Sequence, residues 1–431
     1  MKSSRFDSVA RAAVLRALDH AIGGRITLVE GDRIHTFGQD APDRYGREPI
    51  AATVRVRDPR TYRRIITGKS VGLGESYADG WWTTDDLTAL LRVLDRSVRR
   101  VDPLLRSVRG LTGRVTDPIR RRRPPSLARD RDDIRAHYDL GNDFFERLLD
   151  ETMMYSSAIF ASPAVSLREA SVHKLDRLCD RIGLTEEDHV LEIGTGWGGF
   201  AVHAAQRYGC RVTTTTISDR QYEYARARVA AAGLADRVTV LDCDYRELGS
   251  GGGRPSRHAA DGPYDAIVSV EMIEAVDWRE YETFFAACRS LLTPAGRMAM
   301  QAIVIPGQRF DQAKAHADFI KEVIFPGGCL PSVEALLTAS AASSDLTVTD
   351  LEDIGLHYAE TLRRWRANLD ATATDLPAMG LDERFRRLWD FYLAYCEAGF
   401  DERDISAVQL VFARPGWEPA MHEQDRWGTG A

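Results

Sequence analysis

The stretch Val190-Leu191-Glu192-Ile193-Gly194-Thr195-Gly196-Trp197-Gly198-Gly199 constrains this chain more than any other. His189–Ile193 is a short run of apolar and β-branched character, which predicts a buried strand. Gly194 and Gly196 follow at once and let the backbone turn sharply and approach a ligand closely. The spacing of Gly199–Arg207 then predicts a helix. A strand that runs through a glycine-rich turn into a helix is the opening unit of an open, mostly parallel sheet.

The rest of the second half of the chain repeats that rhythm. Arg211–Ile217 predicts a second strand and Asp219–Ala232 a helix, and Arg237–Leu241, Ala266–Val270 and Arg297–Ile305 continue the series. Strands alternating with helices imply an α/β fold, a Rossmann-like sheet covered on both faces, with ligands beyond the carboxyl ends of its strands. This domain is expected over residues 131–431. A smaller N-terminal α/β domain is expected over residues 1–95. It opens with a helix whose apolar face includes Val9, Ala13 and Leu15–Leu18, and alternating strands follow at Arg25–Glu30 and Ala51–Val56. A helical piece near Thr61–Ile66, a glycine-rich turn at Gly68–Gly74 and the run Tyr77-Ala78-Asp79-Gly80-Trp81-Trp82 complete it.

Between the two, residues 96–130 form a basic linker. Arg96 to Arg123 holds ten arginines against two aspartates, in a chain whose net charge is −7. Such a run is either a solvated linker or an arm drawn to an anionic surface. It lacks the interleaved aromatics that single-stranded nucleic acid binding uses, and the net charge gives no reason to bind nucleic acid. No apolar run approaches a membrane span, and Met1–Ile22 lacks the apolar core of a secretory signal, so a cytoplasmic chain is expected. The cysteines, Cys179, Cys210, Cys243, Cys288, Cys329 and Cys396, are scattered without a CxxC pair, which argues against a zinc site and a disulfide scaffold.

The cofactor loop favours S-adenosylmethionine over a dinucleotide, because Glu192 sits inside the motif, where a carboxylate can receive a ligand ammonium group, and because Gly199 is read as departing from the GxGxxG order of a dinucleotide fingerprint. The second strand ends at Thr216 and not at the acidic residue that many nucleotide-binding sheets place there. Asp244 and Tyr245 follow the third strand, where a carboxylate can accept from an adenine amino group; a surface acidic turn is the other reading of neighbouring Asp242.

With these motifs in order, the sequence resembles the cyclopropane-fatty-acyl-phospholipid synthases and their relatives that modify mycolic acids or make 10-methyl-branched acids. The resemblance rests on Gly72-Leu73-Gly74-Glu75-Ser76-Tyr77-Ala78-Asp79-Gly80-Trp81-Trp82, His137-Tyr138-Asp139-Leu140-Gly141-Asn142-Asp143-Phe144-Phe145 and Met154-Tyr155-Ser156-Ser157-Ala158. The cofactor loop, Ser269-Val270-Glu271-Met272-Ile273-Glu274-Ala275-Val276, Phe325-Pro326-Gly327-Gly328-Cys329-Leu330-Pro331, His357-Tyr358-Ala359 and Phe391-Tyr392-Leu393-Ala394-Tyr395 complete it. It implies cofactor contacts from Tyr155, Ser156, Gly194, Gly196, Thr216, Gln221 and Asp244. It also implies a bicarbonate ion held by Glu274, Tyr392 and the backbone of Val270. Ser157 stands where many members have cysteine, Gln301 where several have histidine, and both can still hydrogen-bond an anion. Glu271 stands where many relatives have glycine and is read as a supporting neighbour.

The implied chemistry is one-carbon transfer to the cis double bond of an unsaturated phospholipid acyl chain. An alkene is a poor nucleophile, so the work is alignment and exclusion of water. Aromatic faces can stabilise the resulting cation, with Tyr155, Phe160, Phe319, Phe325 and Tyr392 as candidates. A base then removes a proton, giving a cyclopropane ring or, by another route, a methylene branch that a partner reductase converts to a methyl branch. A carboxylate beside an anion requires a shared proton, so Glu274 is expected to belong to a coupled pair. The implied partners are a membrane phospholipid and a transient anionic membrane surface at the inner face of the membrane, with room for a homodimer. A small-molecule or RNA methyltransferase and a non-catalytic lipid-binding module remain as other readings.

Overall fold

The computed structural model describes residues 5–43, 45–97, 141–248, 262–315 and 318–418. Most of the basic stretch and the run His137-Tyr138-Asp139 lie outside the described residues. The contacts divide the chain into two compact units. One gathers the described residues of Met1–Pro124, Asp311–Gly327 and Tyr358–Ile405, the other those of Pro125–Phe310, Gly328–His357 and Ser406–Ala431. Residues 131–431 therefore contribute to both units, which a division at residues 95 and 130 does not anticipate.

In the first unit, α1 (Arg5–Leu18) precedes β1 (Gly24–Glu30), β2 (Arg33–Gly38) and β3 (Ile50–Val56), followed by α2 (Arg60–Ala78) and β4 (Trp82–Thr84). The strands form a sheet in the order β2-β1-β3-β4, with β1 parallel to β3 and the other pairs antiparallel. The expected turn at Gly68–Gly74 is instead the continuation of α2, broken only at Lys69, which has φ 52°. The glycines serve close approach there. A Cβ on Gly72 would stand 2.0 Å from the carbonyl oxygen of Arg64, and one on Gly74 2.5 Å from the Phe319 ring. Trp82 is buried within this unit, its indole N–H donating to Ser76 Oγ at 3.0 Å. Arg96, the first residue of the basic stretch, is buried, and its guanidinium pairs with Glu402 at 3.0 Å and donates to the Gly23 carbonyl. It is a structural ion-pair residue and faces no membrane surface.

The second unit opens with α3 (Asn142–Leu148) and α4 (Leu167–Arg181), then β5 (His189–Ile193), α5 (Gly199–Arg207), β6 (Arg211–Thr216), α6 (Asp219–Ala231) and β7 (Val238–Asp242). Next come β8 (Tyr264–Val270), α7 (Tyr281–Leu291), β9 (Leu292–Val304), α8 (Gly307–Ala315), α9 (Val333–Ser343) and β10 (Thr347–Asp353). Helix α10 (Gly355–Ala371), from Tyr358 onward, and helix α11 (Glu383–Asp401) belong to the first unit, and the chain returns to the second for its last strand, β11 (Ser406–Ala413). The sheet order is β10-β11-β9-β8-β5-β6-β7. Strands β5 to β9 run parallel, and β11 is inserted antiparallel between β9 and β10.

Alternate residues of the central strands enter two different apolar clusters, as the period of two along a strand requires. Leu191, Ile193, Ile267, Met298 and Met300 join Phe284 and Phe285 on one face. Val190, Val212, Val268 and Ala299 join Leu178 and Phe200 on the other. All five residues of β5 are buried, because strands flank it on both edges and helices cover both faces. At the foot of β5 the buried Arg297 guanidinium donates to both oxygens of Asp188 at 2.8 Å.

Candidate active site

The order of the strands reverses beside β5: β6 and β7 lie on one side, β8 and β9 on the other. Ligands of such sheets bind beyond the strand ends at that crevice. The glycine turn leaves β5 there. Gly194 (φ 103°) and Gly196 (φ 51°) hold backbone conformations that favour glycine, and the amides of Gly194 and Thr195 both donate to the Thr215 carbonyl at 3.1 Å. A Cβ on Gly196 would meet nothing within 4 Å, so the turn opens onto space. Gly194, Gly196 and Gly199 do keep the GxGxxG spacing, so spacing alone does not select the cofactor.

Around the turn, Tyr155 is half-buried and edge-on to Phe145, with ring centroids 5.4 Å apart, and Phe145 in turn meets Trp197 at 4.8 Å. Thr216 Oγ1 donates to Gln221 Oε1 at 3.0 Å, so the end of β6 and the first turn of α6 are tied together. Asp244 caps a short turn and gives both carboxylate oxygens to Arg246 at 2.8 Å. Oδ1 also accepts from the Arg246 amide at 2.9 Å, so the adenine contact expected of Asp244 competes with a local ion pair and is left the further lone pair of Oδ2. Tyr245 is buried in the apolar core against Phe284, with centroids 5.4 Å apart.

A second constellation lies past β8. Val270, the last residue of that strand, is in register with Gln301 of β9, which is in register with Gln409 of β11. Gln409 Nε2 donates to Gln301 Oε1 at 3.0 Å, and Gln301 Nε2 donates to Glu271 Oε1 at 2.8 Å. The Ser157 amide donates to the same Glu271 oxygen at 2.9 Å. Glu274 accepts from the Ile303 amide through Oε1, while its buried Oε2 has no hydrogen-bond partner among the described residues. Burial first, and then the charge of Glu271, push the Glu274 carboxyl up to about 8, against the pull of the Ile303 amide. The structure thus brings Ser157, Gln301, Glu271 and Glu274 together.

Tyr392 belongs to the other unit. It is buried on α11, edge-on to Phe325 and Trp389 with centroids at 6.1 and 5.4 Å. Phe319 is buried there too, against Phe391 at 4.9 Å. Phe160 is half-buried, and its amide donates to His357 Nδ1 at 3.3 Å.

The sequence reading missed Lys174. It is fully buried on α4, and its Nζ donates to Ser156 Oγ at 2.6 Å. Burial lowers its pKa to about 8, while the charges of Glu271, Asp150 and Glu192 pull the other way. A lysine in an amphipathic helix reads as solvent-facing, so only its position in the helix's apolar stripe could have signalled it. Glu192 is equally buried and accepts from Thr214 Oγ1 at 2.6 Å; burial raises its carboxyl to about 8. Between about pH 4.5 and about pH 8 the folded protein therefore binds protons at Glu192 and Glu274 that the unfolded chain has released. Stability contributed by these groups falls as pH rises through that window. Glu192→Gln is expected to flatten the fall by up to about 1.4 kcal/mol per pH unit, read from urea denaturation across the window. An unchanged slope would mean that Glu192 is already ionised in the folded state.

Comparison with known proteins agrees with this geometry. The mycolic acid cyclopropane synthetase family model matches residues 126–410. The tuberculostearic acid methyltransferase UfaA1 of Mycobacterium tuberculosis is 41% identical over 379 residues, covering 86% of this chain and 85% of its own. The cyclopropane-fatty-acyl-phospholipid synthase of Escherichia coli K12 is 34% identical over 366 residues, covering 84% of this chain and 88% of its own. The structure of the cyclopropane synthase MmaA2 from Mycobacterium tuberculosis superposes with a TM-score of 0.59 at 28% identity, covering 66% of this chain and 98% of its own. The structure of the mycolic acid cyclopropane synthase CmaA1 complexed with SAH and CTAB gives the same four figures. With the strand order, the glycine turn and the site sequence all in place, this chain belongs to the mycolic acid cyclopropane synthetase family.

Proposed function

We propose that this chain is an S-adenosylmethionine-dependent C-methyltransferase that adds one carbon to the cis double bond of an unsaturated acyl chain in a membrane phospholipid. The observation that carries this reading is the pair of carboxylates past β8, one of which keeps a buried oxygen without a partner among the described residues, at the crevice that holds the glycine turn. The residues present fit the cofactor. The open side of Gly196 suits a close backbone approach, and Glu192 is a buried carboxyl that a ligand ammonium would hold in its charged form. Gly194, Thr216, Gln221, Tyr155 and Ser156 would hold the rest of it, with Asp244 and Tyr245 beyond them. When bound, S-adenosylmethionine supplies an electrophilic methyl group. This chain's residues align the alkene, exclude water, steady the cationic chain with aromatic faces such as Tyr155 and Phe160, and collect a proton.

Ring closure and a methylene branch differ only in the route by which the proton is lost. The higher identity to a tuberculostearic acid methyltransferase supports the branch as a second product class, which would require a partner reductase. Among the described residues no helix is long and apolar enough to cross a membrane. The chain is accordingly proposed to visit the inner face of the membrane from the cytoplasm, as a monomer or a homodimer. Arginines of the stretch 99–123 would contribute about 1 kcal/mol each against anionic headgroups.

The bicarbonate ion implied by the resemblance does not fit this site. The Ser157 amide and the Gln301 carboxamide, two groups that could receive it, both donate to Glu271. The function is tested by feeding methyl-labelled methionine to cells that express the chain and analysing their lipids. A gain of one CH2 unit in phospholipid acyl chains is expected, with ring and methylene isomers separated by gas chromatography. Labelled small molecules with unlabelled lipids would sink the reading.

A further inference from the structure

We infer that the Glu271 carboxylate is itself the proton acceptor of this active site, standing where the resemblance implies a bicarbonate ion. The inference rests on the one-carbon transfer proposed above. Its basis is the fate of the site's anion-binding donors. Ser157 N–H and Gln301 Nε2–H converge on Glu271 Oε1 at 2.9 and 2.8 Å, which is how a site holds a small oxyanion. The Gln301 amide cannot rotate freely to serve another ligand, because Gln409 Nε2 holds its oxygen at 3.0 Å and both glutamines are buried. The anion-binding donors are thus oriented through two strands toward a side chain of the protein.

The backbone supports the same assignment. Glu271 has φ 50°, in the left-handed region that favours glycine, and its amide donates to the Gln301 carbonyl at 2.8 Å. A glutamate held there stands against the local preference for glycine. That is the pattern expected when the side chain does chemical work. Glu274 completes the arrangement as a second carboxyl with one buried oxygen that has no partner among the described residues. The charge of Glu271 helps to push the Glu274 carboxyl up, so one of the two stays anionic while the other is neutral. Glu271, which accepts two N–H bonds on one oxygen, is the better-stabilised anion; Glu274, which accepts one, carries the proton.

The step balances without a further reactant. The new C–C bond uses the alkene's π pair, and the C–S bond breaks with its pair left on sulfur. The cation on the acyl chain then loses a proton to the Glu271 carboxylate. The C–H pair left behind closes the ring or becomes an exocyclic double bond. The pair, now doubly protonated, returns one proton to solvent and so regains its starting charge.

The experiment uses the purified chain, phospholipid vesicles with an unsaturated acyl chain, and buffer stripped of carbon dioxide. The wild-type rate is expected to be the same within about 2-fold with and without added bicarbonate. Glu271→Gln, close in size but unable to accept the proton, is expected to lose about 10²-fold or more. Glu271→Gly, which suits φ 50° and frees both donors, is expected to be as slow in stripped buffer and to recover at least about 10-fold on adding bicarbonate. Line broadening of ¹³C-bicarbonate gives a readout apart from turnover: Glu271→Gly should bind the ion and the wild type should not. A wild type that slows about 10-fold in stripped buffer and recovers with bicarbonate would overturn the inference. A fully active Glu271→Gln would do the same. A wild type that transfers no label to lipid would instead sink the proposed function, and the ¹³C measurement would still decide which anion the donors hold.

Discussion

Glu274→Gln abolishes turnover, with an expected loss of about 10²- to 10⁴-fold in kcat, and leaves affinity for S-adenosylhomocysteine within a few-fold. The carboxamide keeps the size of the side chain and can still accept from the Ile303 amide, so the fold is preserved. It cannot exchange a proton with Glu271, and the return of the collected proton to solvent loses its partner. The proposed cofactor contacts lie around the glycine turn and do not include Glu274, so binding should be spared. Steady-state lipid methylation over many turnovers and a calorimetric titration separate the two effects. Full activity in this variant would remove Glu274 from the proton pathway, and a parallel loss of cofactor affinity would assign it a binding role.

Arg297→Met is expected to destabilise the protein by about 3–5 kcal/mol, because it strands a buried charge. Arg297 donates to both oxygens of Asp188 and also to the carbonyls of Ile182 at 2.7 Å, Gly183 at 3.1 Å and Asp265 at 3.2 Å. Burial pushes the Asp188 carboxyl up, but Arg297 and the Thr185 amide outweigh it and hold it below the usual range. One guanidinium thus ties the loop before β5 to β8 and β9. Adding Asp188→Asn should recover part of the loss, since it removes the unpaired charge while keeping an acceptor. Urea denaturation of the single and double variants measures both terms. A loss below about 1 kcal/mol for Arg297→Met would show that the pair is solvent-screened.

Much of the catalytic fold was legible because the signals were local. Strand β5 and helix α5 fall at the residues that periodicity and glycine placement indicate, and β6, β7 and β8 differ from expectation by one or two residues at their ends. Strands β2, β4, β10 and β11 went unread. β10 is an exposed edge strand with the charged residues Asp350, Glu352 and Asp353, and it carries little apolar alternation. The Gly68–Gly74 run was misread because glycines that permit close packing and glycines that make a turn look the same in a sequence.

The sequence by itself determined the class of fold and the place of the glycine turn, because both depend on residue type and short-range spacing. Glu274, Ser157 and Gln301 came from the resemblance and stand as proposed site residues. Only the tertiary structure decided what those residues face. Gln409 steers Gln301, Gln301 and Ser157 turn to Glu271, and Lys174 is buried against Ser156, through contacts between residues far apart in the chain. Hydrogen bonds across a sheet depend on strand order and register, and no local pattern encodes either.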